Sequence, residues 1–142
     1  MSFSVTLAAP RIACGRPGLL RDRAQALAYC NEFRRLIPTA KPKAIIVADY
    51  RGVAIFPPDV AEELARLMSD MNPLIERSAI LVDPSHATAA LQVGRVVQAS
   101  HNENRRRLTS RADLETWVGE IATLAELGRI RAFLDEGDPS KA

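Results

Sequence analysis

Two periodicities alternate along this chain. Phe3-Ser-Val-Thr-Leu alternates apolar and polar like a half-buried strand, and Ile12-Ala-Cys is its expected hairpin partner across Pro10. Gly15, Pro17 and Gly18 end the pair. A helix is expected over residues 20–37, with Ala26, Cys30, Phe33 and Ile37 as its inner stripe and Arg21, Arg23, Arg34 and Arg35 mainly outside. Pro38 and Pro42 bracket a turn. Residues 44–48 are apolar on both faces, as a strand covered by helices should be.

A second helix follows, with Asp59 as the expected N-cap and Val60, Leu64, Leu67 and Met71 at helical spacing, closed by Asn72-Pro73. Residues 78–82 read as a buried strand ending at Asp83-Pro84-Ser85. Residues 86–100 read as a helix turning Ala90, Val93 and Val97 inward. Arg106-Arg107-Leu108 forms a short edge strand. Ser110 with Asp113, and Thr123 with Glu126, have the spacing of capping boxes that open two more helices. Leu114, Trp117, Val118 and Ile121 line the first; Leu127, Ile130 and Leu134 line the second. Strands alternating with helices predict an α/β domain of four to five strands with helices packed against the sheet and an extra C-terminal helix. One domain over residues 1–136 and a frayed tail over 137–142 are expected.

Composition changes this picture little. The 142 residues are 47% hydrophobic and 25% charged, ordinary globular values, and aromatics at 5% leave the core to Ala, Leu, Ile and Val. A net charge of +2 is too small to predict a nucleic-acid partner. The arginine-over-lysine and alanine bias fits a GC-rich bacterial genome. Cys14 and Cys30 form neither a C-x-x-C motif nor a metal quartet, and Cys30 falls on the apolar face of its helix. Neither a signal peptide nor a stretch of about 20 apolar residues is visible, so a cytoplasmic protein without membrane insertion is expected.

The most informative stretch is the strand–turn–helix joint at residues 44–64, because such joints carry the working residues of open α/β folds. Its apolar strand ends at Asp49; Tyr50, Arg51, Gly52 and Val53 form the turn, Ala54, Ile55 and Phe56 follow, and Pro57, Pro58 and Asp59 lead to a helix with Leu64. This order resembles the STAS domain family, the module of anti-sigma-factor antagonists and of sulphate-transporter tails. Strand Asp, Gly-Val turn, element order and a late Leu-x-x-Trp-Val helix all agree over residues 3–121. The resemblance implies a regulatory protein whose helix entrance carries a phosphorylatable serine in Asp-Ser-Ser-Gly. Here Asp59 stands at the phosphoserine-equivalent position, after Pro57 and Pro58, and has no hydroxyl to modify. It is either a permanently charged counterpart or simply a helix cap.

Other candidates have plainer readings. Asp49, Asp59 and Asp83 would have to converge to hold a metal or a phosphoryl group, and the paired acids and late lysine of a receiver are missing. Asp83-Pro84-Ser85-His86 are too close in sequence to form a triad, and no Gly-x-Ser-x-Gly elbow occurs. Arg105, Arg106, Arg107 and Arg111 are the one basic cluster, read as a solvated edge strand protected by charge. The short Gly15-Arg-Pro-Gly segment is no phosphate loop. No cofactor or metal is expected.

The expectation is therefore a non-enzymatic STAS-like regulatory or adaptor protein, with Tyr50, Arg51, Asp59, Glu62, Glu63 and Arg66 exposed on the partner-binding surface. The alternatives are a small-ligand carrier or sensor with a pocket between helices and sheet and, third, an enzyme. A homodimer through the extra helix is also consistent with the pattern.

Overall fold

The computed structural model describes residues 3–141; Met1, Ser2 and Ala142, the ends of the expected domain and tail, lie outside the described residues. The chain is an α/β domain built on one five-stranded mixed sheet. Its strands are β1 (Ser4–Ala9), β2 (Ile12–Arg16), β3 (Ala44–Asp49), β4 (Ile75–Leu81) and β5 (Arg105–Leu108), in spatial order β1-β2-β3-β4-β5. β1 and β2 are an antiparallel hairpin; all later neighbours are parallel. Each parallel step needs a crossover, supplied by α1 (Arg23–Leu36), α2 (Pro58–Met71) and α3 (Ala87–Ala99). The sheet grows in one direction only, and right-handed crossovers taken in one direction put all three helices on one face. The opposite face is left to α4 (Arg111–Gly119) and α5 (Leu124–Glu136).

The strand pleat sorts side chains into two cores. Ala44, Ile46 and Ala48 of β3 join the core under α1–α3, while Ile45 and Val47 join Leu114, Val118, Ile130 and Leu134 under α4 and α5. All six β3 residues are buried, as its uninterrupted apolar run predicts. The expected stripe of α1 is buried in full, but on α3 Val96 is buried where Val97 was expected, and Val97 is only partly covered. Among the described residues no helix is long and apolar enough to cross a membrane.

Helix starts follow their capping chemistry, with one correction. Asp22 caps α1 by accepting from Gln25 N at 2.9 Å. Ser110 accepts from Asp113 N, and Thr123 with Glu126 makes a full capping box. Asp59, however, does not cap α2, which begins two residues earlier than that cap implies, with Pro57 as N-cap and Pro58 in the first helical position, where proline's missing N–H costs nothing.

The basic cluster also departs from expectation. Alternation along β5 sends its arginines to opposite faces. Arg105 is buried at 6% exposure and reaches beneath α2. Arg106 lies over the Trp117 ring, 4.7 Å from its centroid, and Arg107 donates to the Ala90 carbonyl. Arg111 pairs with Glu115 and Asp135. These residues form no common patch.

The tail is not free at its start. A Cβ at Gly137 would overlap the Asp49 carboxylate and the Arg16 guanidinium, so a larger residue there would have to displace that pair. Pro139–Lys141 then makes a 3-10 turn.

Ile130 is fully enclosed and Leu124 is 88% exposed on the same helix. Ile130→Ala is expected to cost about 2–5 kcal/mol, and Leu124→Ala less than about 0.5 kcal/mol, as read from urea unfolding midpoints.

Candidate functional site at the carboxyl edge of the sheet

Parallel strands bring the ends of β2, β3 and β4 to one edge, where the 50–57 loop lies. Tyr50 N extends the ladder by donating to Leu81 O at 2.8 Å, and Val53 N closes a turn onto Tyr50 O. Gly52 takes φ +76° at the turn's third position, a conformation that explains the glycine. Val53 and Phe56 then point inward, leaving Ala54 and Ile55 exposed. The loop is pinned to α3 by Gln92, whose side chain accepts from Phe56 N and donates to Phe56 O, each at 2.8 Å. Tyr50 and Phe56 meet edge-on, with ring centroids 5.9 Å apart. Between Gly52–Ile55 and His86–Ala89 runs an open groove of about 420 Å³. Exposed Ile55 belongs to its wall, and Leu91 is exposed one turn along α3.

Behind the loop is a buried charge cluster. Asp49, 3% exposed, accepts from Arg51 N at 3.1 Å, Arg51 Nε at 2.9 Å, Arg51 Nη2 at 3.0 Å and Arg16 Nε at 3.2 Å. Both arginines reach on to the end of α5. Arg51 Nη2 donates to Leu134 O at 2.7 Å, and Arg16 Nη2 donates to Phe133 O. Cations meeting the last carbonyls of a helix satisfy orphan acceptors and oppose its dipole. Arg16 also stacks 3.9 Å from the Phe133 ring centroid.

The six residues expected on the binding surface therefore separate. Tyr50 is a core residue at 5% exposure. Arg51 is held between Asp49 and α5. Asp59 turns toward α1 and accepts from Arg23 N at 3.1 Å, so its charge serves the first amide of that helix. Glu63 is buried in the α1–α2 seam, where Arg23 and Arg66 pair with one of its oxygens, the Arg66 contact being 2.6 Å. Only Glu62 and Arg66 are well exposed, and they pair with each other and, for Glu62, with Arg23. The expected exposure of Tyr50 and Glu63 is thus corrected. Tyr50 continues the buried ladder inward, and Glu63 lies on the helix face that α1 covers.

The exposed features of the edge, Ile55 and Leu91, are apolar; Ile55 belongs to the apolar run read in the loop, and Leu91 was not singled out from sequence. Leu91 carried a signal: it falls outside the Ala90–Val93 stripe, so a large apolar side chain had to face away from the core.

The other candidates find ordinary partners. Asp49, Asp59 and Asp83 do not converge, and among the described residues no group of three metal-type ligands forms. Asp83 accepts from Ser85 N at 2.9 Å and Ser85 Oγ at 2.7 Å, and these bonds hold its carboxyl below the usual range. Ser85 is consumed in this local turn and not aimed at a base. Burial pushes the Cys14 and Cys30 thiols up to about 12, so neither is a thiolate at neutral pH.

No family model matches the chain, and neither a curated protein nor a solved structure is significantly similar to it.

The Asp49 cluster and Arg11 anchor opposite ends of α5, since Arg11 Nε donates to Glu126 at 2.8 Å beside the α5 capping box. Asp49→Ala leaves two arginines without their buried carboxylate and is expected to destabilise the fold by about 3–5 kcal/mol. Hydrogen exchange should show the last turn of α5 losing protection first. The hydrogen bond from Arg11 lowers the Glu126 pKa below the ordinary 4.5, against a smaller opposing effect of burial. The folded state therefore takes up this proton less readily than the unfolded chain. The linked stability is present in full above pH 4.5 and is lost as pH falls through the lowered value. Acid unfolding of Glu126→Gln should show a shallower pH dependence in that window.

Proposed function

We propose that the protein is a non-enzymatic STAS-like regulatory or adaptor module that binds another protein through the groove between the 50–57 loop and the start of α3. The observation that carries this reading is the pairing of a rigid backbone with exposed apolar side chains. Ile55 is 56% and Leu91 51% exposed, while Gln92 and the buried Val53 and Phe56 fix the loop from beneath. Preorganised apolar anchors of this kind lose little entropy on binding. Apart from His86 the groove's lining residues carry no ionisable side chain, which suits recognition. The occupant is an apolar side chain of a partner protein, seated between Ile55 and α3.

The family reading rests on element order and on the Asp49, Gly52 and Val53 turn. It excludes a switch through Asp59, which has no hydroxyl and whose carboxylate is bound to the α1 amide. Recognition is therefore constitutive at this position.

A photo-crosslinking side chain at residue 55, compared in cells with one at exposed Thr116, tests the proposal. One defined heterologous adduct at 55, absent at 116 and lost on Leu91→Asp, is expected. Equal adducts at both positions, no adduct, or an adduct with a second copy of this chain would overturn it. Leu91→Asp should leave the thermal midpoint within a few degrees, because the side chain is half exposed.

A further inference from the structure

Arg105 is the only one of the three β5 arginines to be buried, and its environment is not that of a structural ion pair. Its Nη1 donates to Ser78 Oγ at 2.9 Å, and its Nη2 to Met68 O at 2.9 Å and Asn72 Oδ1 at 3.0 Å. All three acceptors are neutral. Among the described residues Arg105 enters no ion pair, whereas Arg11, Arg16, Arg51 and Arg111 each meet a carboxylate. Its Nε–H has no partner at all. Burial lowers the Arg105 pKa to about 10, which still leaves the guanidinium charged at neutral pH. An uncompensated buried cation and an unpaired buried donor are both costly, so a native fold that keeps them has a use for them.

Arg105 also lines a cavity. The cavity, of about 30 Å³, lies between α1, α2 and the sheet, and Tyr29, Tyr50 and Ser78 line it too. Tyr29, 1% exposed, brings its hydroxyl there beside that of Tyr50, toward which it donates at long range, and no partner holds it in close hydrogen-bond geometry. The rest of the wall is apolar, including Leu67, Met68 and Met71. One unpaired cationic donor and one hydroxyl held only loosely by its neighbour thus meet a mainly apolar enclosure.

We propose that this cavity is the head-group site of a small aliphatic monocarboxylate. Its carboxylate accepts from Arg105 Nε and from the Tyr29 hydroxyl, and its short hydrocarbon chain lies against Leu67, Met68 and Met71. A single negative charge matches the single uncompensated cation; a dianion would leave one charge unmatched. The space holds about two water-sized groups at rest. The chain therefore enters by displacement of the two methionines, whose unbranched thioethers repack easily. This site is distinct from the groove at the loop and is read by acid binding and not by crosslinking, so failure of one test is distinguishable from failure of the other.

The test is calorimetric titration of the full chain with acetate, butyrate and hexanoate, with hexanamide as the uncharged counterpart. Hexanoate is expected to bind, each added methylene tightening binding by about threefold to fourfold until the space is filled. Hexanamide is expected to bind at least about tenfold more weakly. Tyr29→Phe should weaken hexanoate by about tenfold with the thermal midpoint within a few degrees of the parent, because it removes only a loosely held hydroxyl and keeps the ring. Arg105→Met should abolish binding. If that variant does not fold, Tyr29→Phe and hexanamide still decide. No binding of any acid at millimolar concentration, hexanamide equal to hexanoate, or hexanoate affinity unchanged in Tyr29→Phe would overturn the proposal.

Discussion

The carboxylate of Asp49 holds two arginines at the edge of the sheet, and the placement of α5 depends on that arrangement. Ionised, it can accept from several donors at once, and it accepts from three groups of Arg51 and one of Arg16. This orients the two guanidinium planes so that their remaining N–H groups meet the Phe133 and Leu134 carbonyls. A helix that would otherwise end in unpaired carbonyls over an apolar sheet is tied down at that end. Arg11 and Glu126 tie its other end. Between them Ile130, Phe133 and Leu134 cover β2 and β3 from the face that the crossovers leave bare. Without α5 that face would expose Ile12, Cys14, Ile45 and Val47, an apolar surface that would favour association.

The same cluster decides what the 50–57 loop can do. Because Arg51 is engaged inward, the turn cannot present it to a partner, and Gly52 lets the chain reverse without strain. What reaches solvent is the Ala54-Ile55 pair. The physical logic differs from a charge-led surface: charge holds the scaffold, and what this edge offers to solvent is apolar. Glu62 and Arg66 remain exposed but belong to the α1–α2 seam, on the far side of α2 from the groove.

Much of the fold was legible because its signals are local. The β3 run, the α1 stripe and the Thr123–Glu126 box each need only neighbouring residues to be read, and each stands as the pattern predicts. The site was less legible because its geometry is non-local. Asp49 and Arg51 are two residues apart, but the Leu134 carbonyl that completes their arrangement is 83 residues from Arg51. Asp59 has the composition of a cap and does accept from a helix's first amide, but that helix is α1, already capped by Asp22 and reached across the seam rather than along the chain. Arg105 to Arg107 look alike in sequence, and only the pleat of β5, with α2 above one face and Trp117 on the other, makes them three different residues. Leu91 was readable in principle, since an apolar residue outside its helix stripe needs a reason to be exposed.

The loop and the buried cavity share one side chain, and this limits how independent they can be. Tyr50 packs edge-on against Phe56, the residue that Gln92 clamps, and also lines the cavity beside Arg105. Its ring cannot shift to admit a group on one side without altering the packing on the other, because close-packed interiors transmit displacement rather than absorb it. Any occupant that moves Tyr50 must therefore change the free energy of the loop conformation. By linkage, a partner that fixes the loop must change the affinity of the cavity by the same factor. The coupling vanishes only if the cavity fills without moving Tyr50, through Met68 and Met71 alone. The flexible wall lies on α2, opposite the loop, so the position of Tyr50 determines whether the proposed module would bind passively or through a surface that responds to an occupant of the cavity.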